Sequence, residues 1–68
     1  MTRVSSSNLR AVGYDPLAGT LTVEFHGGRR YAYSGVPWSE YRGLLQAKSH
    51  GACFHARIRN RYPCRRLR

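Results

Sequence analysis

The sequence predicts an α+β fold, in which a three-stranded antiparallel β-meander is followed by two short helices packed on one of its faces (β-β-β-α-α). Three observations predict it: apolar and polar residues alternate along residues 21–25, a pair of glycines follows at 27–28, and apolar residues recur at helical spacing after Pro37. With 68 residues the chain has room for one domain. Such a chain buries only about 60% of its unfolded surface, so we expect a thin core.

The first strand is predicted from Leu9, where alternation begins. It places the odd-numbered residues of the run 9–14 on one side and the even-numbered residues on the other. Asp15-Pro16 and Gly19 end this strand in a turn. Residues 1–8 are polar, and we expect them to fray.

The register of the second hairpin decides what its tyrosines do. A two-residue glycine loop pairs Val23 with Ala32 and leaves Arg30 on the apolar face, whereas a three-residue loop with a bulge pairs Val23 with Tyr31. A charged residue in so thin a core is costly, so the second register is favoured. Tyr31 and Tyr33 then belong mostly to the core, with hydroxyls reaching the rim. The alternative is an exposed pair of stacking platforms for bases.

Two helices are predicted after the sheet. Pro37 suits the first helical position. A second helix is expected from about residue 51 to 58, and Pro63 stops it, leaving residues 64–68 as a basic tail. The apolar faces of the two helices comprise Tyr41, Leu44 and Leu45 with Lys48, and then Phe54, Ile58 and Tyr62.

Charge is the strongest compositional signal. Twelve Lys and Arg oppose three acids, giving a formal net charge of +9, and eleven of the twelve are arginine. Arginine favours bidentate contact with phosphate, and a basic cluster interleaved with aromatic rings is typical of single-stranded or looped RNA binding. The predicted nucleic-acid-binding residues are Arg29, Arg30, Lys48, Arg57, Arg59, Arg61, Arg65 and Arg66. Tyr31, Tyr33 and Tyr62 are the candidate stacking residues.

These residues predict a small binding module whose partner is nucleic acid, with RNA favoured over DNA. The alternative is a protein-interaction adaptor that docks an acidic partner or pairs a sheet edge with another chain. A third hypothesis is a small ribonuclease that uses His50 or His55 as its base. We expect no enzyme activity, because the three acids form no carboxylate pair and the sequence shows no obvious catalytic triad.

The sequence predicts neither a metal site nor a cofactor. Cys53 lies two residues from His55, and Cys64 lies further on, which matches no paired zinc-ligand spacing. No apolar run is long enough for a signal peptide or a membrane span. We therefore expect a cytoplasmic protein with reduced thiols, no membrane contact and no small-molecule substrate.

The order of short motifs resembles the KTSC domain family, found at the C-terminus of some lysyl-tRNA synthetases and as stand-alone bacterial proteins. The motifs are Ser6-Ser7-Asn8-Leu9, Val12-Gly13-Tyr14-Asp15, residues 21–25, Tyr31-Ala32-Tyr33, Gly35-Val36-Pro37, residues 47–51, Ile58-Arg59 and Arg61-Tyr62-Pro63. The resemblance implies a single domain over residues 1–68 with its core at about 5–63. It suggests RNA binding through the synthetase context. The chain departs from many members at Arg30 and Cys64, where they carry an apolar and an aromatic residue.

Overall fold

A computed structural model describes residues 1–4 and 8–67. Ser6 and Ser7 of the family motif, and Arg68 of the predicted tail, lie outside the described residues. The elements in chain order are β1 (Thr2–Arg3), β2 (Leu9–Asp15), β3 (Thr20–Phe25), β4 (Arg30–Tyr33), α1 (Trp38–Gln46), α2 (His50–Arg57) and β5 (Cys64–Leu67).

The sheet contains five antiparallel strands in the order β1-β2-β3-β4-β5, among the residues described, so the prediction of three strands is corrected. Residues 64–67 are not a free tail: they pair with β4, with Tyr33 opposite Cys64 and Tyr31 opposite Arg66. Thr2 and Arg3 are not frayed, since they pair with Val12 and Ala11 on β2. Neither end strand shows apolar alternation, which is why both were missed.

The alternation predicted for the first strand is interrupted by a β-bulge between Leu9 and Ala11, so the prediction is wrong for the faces of the residues after it. Leu9 lies opposite Phe25, but Ala11 lies opposite Glu24, so Arg10 is an extra residue in β2. The extra residue turns Val12 to the same face as Leu9, and both side chains are fully buried. A strictly alternating strand would have left Val12 on the opposite face.

The three-residue register of the second hairpin is confirmed. Val23 lies opposite Tyr31 and Leu21 opposite Tyr33. Directly opposed residues of antiparallel strands point to the same face, so both tyrosines share the face of Leu21 and Val23. Arg30 lies opposite Glu24 on the other face, which keeps its charge out of the core.

Both helices pack on the face of the sheet that carries these apolar side chains. α1 begins after Pro37, which occupies the N-cap position rather than the first helical position. α2 ends at Arg57, and the side chain of Ser49 caps its start by accepting a hydrogen bond from the Ala52 amide at 3.2 Å. The core cluster of buried residues comprises Leu9, Val12, Leu21, Val23, Tyr33, Val36, Tyr41, Leu44, Phe54 and Ile58.

Candidate nucleic-acid interface

A groove of about 610 Å³ opens between the β3–β4 hairpin and the turn that follows α2. We call it the aromatic groove. Its volume lies within the range of roughly 300–1,000 Å³ that small-molecule and cofactor sites occupy. The lining residues are Asn8, Phe25, His26, Arg29, Tyr31, Tyr33, Phe54, His55, Arg59, Asn60, Tyr62 and Cys64.

The floor of the groove is a set of interlocked aromatic rings. The ring of Phe25 lies edge-to-face with Tyr31 and with Phe54, with centroids 5.6 Å apart in both pairs. Phe54 also meets Tyr33 edge-to-face at 5.5 Å. Edge-to-face geometry at these distances is favourable. Because the rings are already held by one another, they lose little conformational entropy when a ligand binds. The floor is therefore preorganised.

One wall of the groove is the hairpin loop. The Phe25 amide donates to the Arg29 carbonyl at 2.8 Å, and the Gly28 amide donates back to Phe25 at 3.1 Å. Gly27 and Gly28 take φ values of 99° and 89°, which residues other than glycine rarely adopt. This tight loop directs His26 and Arg29 to the lining of the groove.

The opposite wall is built where α2 ends. The amides of Ile58 and Arg59 both donate to the Phe54 carbonyl at 2.9 Å, and Asn60 then takes a left-handed φ of 66°. Asn tolerates this conformation better than most residues, and it reverses the chain after the helix. Arg59, Asn60 and Tyr62 line the groove as a result. An Arg59 Nη1 atom lies 3.3 Å from His55 Nδ1, which joins the two side chains.

The groove has a cationic and neutral lining. Among the residues described, its arginines are Arg29 and Arg59, whereas the acidic side chains of Asp15, Glu24 and Glu40 lie outside it. Glu40 instead accepts hydrogen bonds from Arg57 Nε and Nη2 at 3.2 and 2.9 Å. A site lined by guanidinium groups and planar rings, with no Asp or Glu side chain among its described lining residues, suits an anionic ligand that carries a flat apolar part.

Tyr33 and Cys64 face each other across β4 and β5 at the base of the groove. Burial, and next the neighbouring Cys64 thiol with its hydrogen bond, raise the pKa of Tyr33 from 10.0 to about 12. Only 6% of Tyr33 is exposed. Tyr33 therefore belongs to the core, and its phenol stays neutral over the ordinary pH range.

The structure divides the sequence-predicted residues into two groups. The groove brings together Arg29, Arg59 and the three candidate stacking residues Tyr31, Tyr33 and Tyr62. Tyr31 and Tyr62 are half-buried, so part of each ring is open to a ligand. Outside the lining lie Arg30, Lys48, Arg57, Arg61, Arg65 and Arg66.

Strand pairing explains where several of these outer residues lie. Arg66 lies opposite Tyr31, on the face of the sheet that carries the groove. Arg65 lies opposite Ala32, on the other face, where Arg30 also lies. Lys48 lies between the helices, and Arg61 follows the end of α2. The predicted cluster is therefore spread over both sides of the molecule.

Sequence reasoning missed several lining residues, namely Asn8, Phe25, His26, Phe54, Asn60 and Cys64. The glycine pair at 27–28 was the signal that could have placed His26 and Arg29 together at a loop. Asn60 and Asn8 had no such signal, because a left-handed residue after a helix and a contact between distant segments are set by the fold. The Asn8 carbonyl accepts a hydrogen bond from the His26 amide at 3.1 Å.

The histidines of the ribonuclease hypothesis are separated by the structure. His55 lines the groove, whereas His50 lies outside it with its Nε2 atom 3.3 Å from the Leu45 carbonyl oxygen. Across residues 1–4 and 8–67, no three His, Cys, Asp or Glu side chains are grouped to hold a metal ion. No helix in that part of the chain has the length and apolarity needed to cross a membrane.

Fold and groove together define a small basic α+β domain whose open antiparallel sheet is covered on one face by two helices. The KTSC domain family model matches residues 5–62. The chain therefore belongs to the KTSC domain family, as its motifs predicted.

Its relatives include both separate small proteins and part of a large one. An uncharacterized protein from Stutzerimonas stutzeri is 46% identical over 52 residues, which cover 76% of this chain and 73% of that protein. A lysine–tRNA ligase from Nostoc sp. is 36% identical over 61 residues, which cover 90% of this chain but 11% of the ligase. The crystal structure of a KTSC domain protein from Yersinia pestis matches with a TM-score of 0.93 and 34% identity, covering 98% of this chain and 94% of that chain.

Proposed function

We propose that this protein is a non-catalytic RNA-binding module that engages single-stranded or looped RNA at the aromatic groove. The observation that carries the proposal is the lining of the groove: Arg29 of the hairpin wall and Arg59 of the wall after α2 line it together with aromatic rings, and Asp15, Glu24 and Glu40 do not. Guanidinium groups pair with phosphates while aromatic rings stack on unpaired bases, and RNA presents both in its loops.

The relation to a lysine–tRNA ligase supports RNA as the partner, since that protein's name states a tRNA substrate. The chemistry of the groove lining is the main support for an RNA partner. A cytoplasmic location is part of the same proposal.

Arg66 and Arg61 extend the proposed surface beyond the groove. Arg66 lies beside Tyr31 on the same face of the sheet, and Arg61 is exposed in the turn that forms the second wall. Both suit contacts to phosphates that flank the bound segment. Arg57 has a smaller role in this proposal, because Glu40 already pairs with its guanidinium at 2.9 Å.

The proposal excludes cleavage of the bound RNA. His55 lies 3.3 Å from Arg59 Nη1, but neither Asp15, Glu24 nor Glu40 lines the groove to orient it as a base. We therefore expect bound RNA to be recovered intact.

The first test is fluorescence anisotropy with a labelled single-stranded RNA, a stem-loop RNA and a DNA duplex, each titrated over a range of salt. We expect one RNA to bind the protein more tightly than it binds a scrambled peptide of equal charge. The protein should keep its preference for that RNA at physiological salt. The double variant Arg29→Gln/Arg59→Gln should weaken RNA binding. It should also reduce the slope of log K against log[salt] by roughly 1.4, since each lost phosphate contact accounts for roughly 0.7.

The matched control is Arg3→Gln/Arg42→Gln, which removes the same charge from exposed positions outside the groove. Equal losses in the two double variants would contradict a groove site, because the charge would then act without regard to position. Appearance of cleaved RNA would contradict the non-catalytic proposal.

A protein-interaction adaptor is the second candidate, and one observation favours it. Leu17 is 98% exposed and Trp38 is 56% exposed. Leu17 lies in the β2–β3 turn and Trp38 begins α1. The Val36 amide joins these two segments by donating a hydrogen bond to the Gly19 carbonyl at 2.9 Å. If all three nucleic acids bind no better than the scrambled peptide, this apolar patch becomes the surface to examine for a protein partner.

A further inference from the structure

The aromatic groove has a volume in the range of small-molecule sites. Its volume, about 610 Å³, suits a ligand of small-molecule size. A paired base stays inside its stack and offers only an edge to a protein, whereas an unpaired base can leave the stack and lay its face on an aromatic ring.

The two partly open rings of the groove come from different elements of the fold. Tyr31 lies on β4 and Tyr62 in the segment after α2, and both are half-buried against the core. Tyr31 is held in place by its edge-to-face contact with Phe25 at 5.6 Å. A ring fixed in this way loses little entropy when a planar group stacks on it. We refer to the open parts of Tyr31 and Tyr62 as the shelf.

The cations flank this shelf. Arg29 lies on the hairpin wall and Arg59 on the opposite wall, where His55 is 3.3 Å from its guanidinium. A nucleotide whose base rests on the shelf would carry its phosphate on the backbone side, toward the lips of the groove. Two arginines at those lips suit the phosphates on either side of the inserted nucleotide.

We propose that the aromatic groove receives a single unpaired nucleotide, such as a bulged or looped-out residue, whose base stacks on Tyr31 and Tyr62 while Arg29 and Arg59 contact its flanking phosphates. This inference rests on the proposed RNA-binding function and names the structural feature that the groove recognises. Helical RNA alone lacks that feature.

The test uses three hairpin RNAs that differ at one position: fully paired, with one bulged nucleotide, and with the same bulge lacking its base. We expect the bulged RNA to bind the full chain between roughly 5-fold and 150-fold more tightly than the abasic RNA, the range that one stacked base contributes. Equal affinity of the bulged and abasic RNAs would overturn the inference while leaving RNA binding intact. If the protein binds none of these RNAs better than a scrambled peptide of equal charge does, the proposed function itself is wrong.

A pair of variants locates the effect. Tyr62→Leu should remove most of the difference between the bulged and abasic RNAs. Trp38→Leu should keep it, since Trp38 is an exposed aromatic residue outside the groove. A Tyr62→Leu protein that still prefers the bulged RNA by the wild-type factor would overturn the assignment. The comparison of the three RNAs on the wild-type chain needs no variant and stands if Tyr62→Leu does not fold.

Discussion

Tyr31 and Tyr33 are two positions apart and share one face of the sheet, yet they do different things. Tyr33 is 6% exposed and sits among buried residues, with Cys64 opposite it on β5. Tyr31 lies nearer the hairpin loop and stays half-buried. The tyrosines were expected to be mostly core with hydroxyls reaching the rim; Tyr33 is buried in the core, whereas Tyr31 only packs against it.

Tyr33 makes the stability of the domain depend on pH at the alkaline end. The folded state raises its pKa to about 12, whereas an unfolded tyrosine has a pKa of about 10. The folded chain therefore holds the phenol proton more tightly, and this stabilisation is complete below about pH 10 and lost as the pH rises toward 12. Denaturant unfolding across that window should show the free energy of unfolding falling.

Between about pH 10 and 12, Tyr33→Phe should reduce the fall in the free energy of unfolding, because phenylalanine has no hydroxyl proton to lose. Tyr62→Phe is the matched control, since it removes a hydroxyl from a half-buried ring and leaves Tyr33 in place. An unchanged alkaline slope in Tyr33→Phe would show that other groups cause the loss.

At the scale of elements, β5 is the main addition that the structure makes to the predicted fold. The sequence from residue 64 to 67 is charged and has no apolar alternation, so local pattern predicts a tail. In the fold, β4 would otherwise be an edge with unpaired backbone groups, and β5 covers it. Arginines on the new edge discourage further strand pairing, because a charged edge resists association with another chain.

The hydrogen-bond pattern of β5 allows a matched pair of proline substitutions. The Ser34 amide donates to the Pro63 carbonyl at 2.9 Å, so these opposed residues form a hydrogen-bonded pair. Bonded pairs alternate along antiparallel strands, which directs the Arg65 amide to Ala32 and the Arg66 amide to solvent. Arg65→Pro should lower the free energy of unfolding by about 1 kcal/mol or more beyond the effect of Arg66→Pro.

Both variants remove one arginine and introduce one proline, so chemical denaturation compares them directly. Equal stability of the two would contradict the assigned register of β5.

For the whole molecule, charge and size act together. A net charge of +9 is carried by a domain whose principal extents are 27 × 26 × 21 Å. Repulsion among like charges in so small a volume destabilises the folded state, and salt screens it. The same salt competes with phosphate contacts and weakens binding to RNA. Stability and binding should therefore respond to salt in opposite directions.

Thermal unfolding in increasing sodium chloride checks the first half of this expectation. The Tm should rise from low salt to physiological salt. For a domain of this size, a gain of about 1 kcal/mol would appear as a rise of roughly 4–8 °C. Chloride is preferred to phosphate or sulfate, since those anions could bind the arginines of the groove. A Tm that falls with added chloride would mean that the cations are stabilised by contacts within the fold.

Local signals in the sequence were enough to determine the α+β class, the β3–β4 register, the two helices and the basic, aromatic character of the chain. They were sufficient because alternation, helical spacing and glycine turns act within a few neighbouring residues. The tertiary structure decided the rest: that residues 64–67 pair with residues 30–33, that Arg65 and Arg66 lie on opposite faces, and that Arg29 and Arg59 meet across one groove. The strand pairing depends on which sheet edge is left open, and the groove depends on how the hairpin and the end of α2 come together. Both are settled by contacts between segments far apart in the chain.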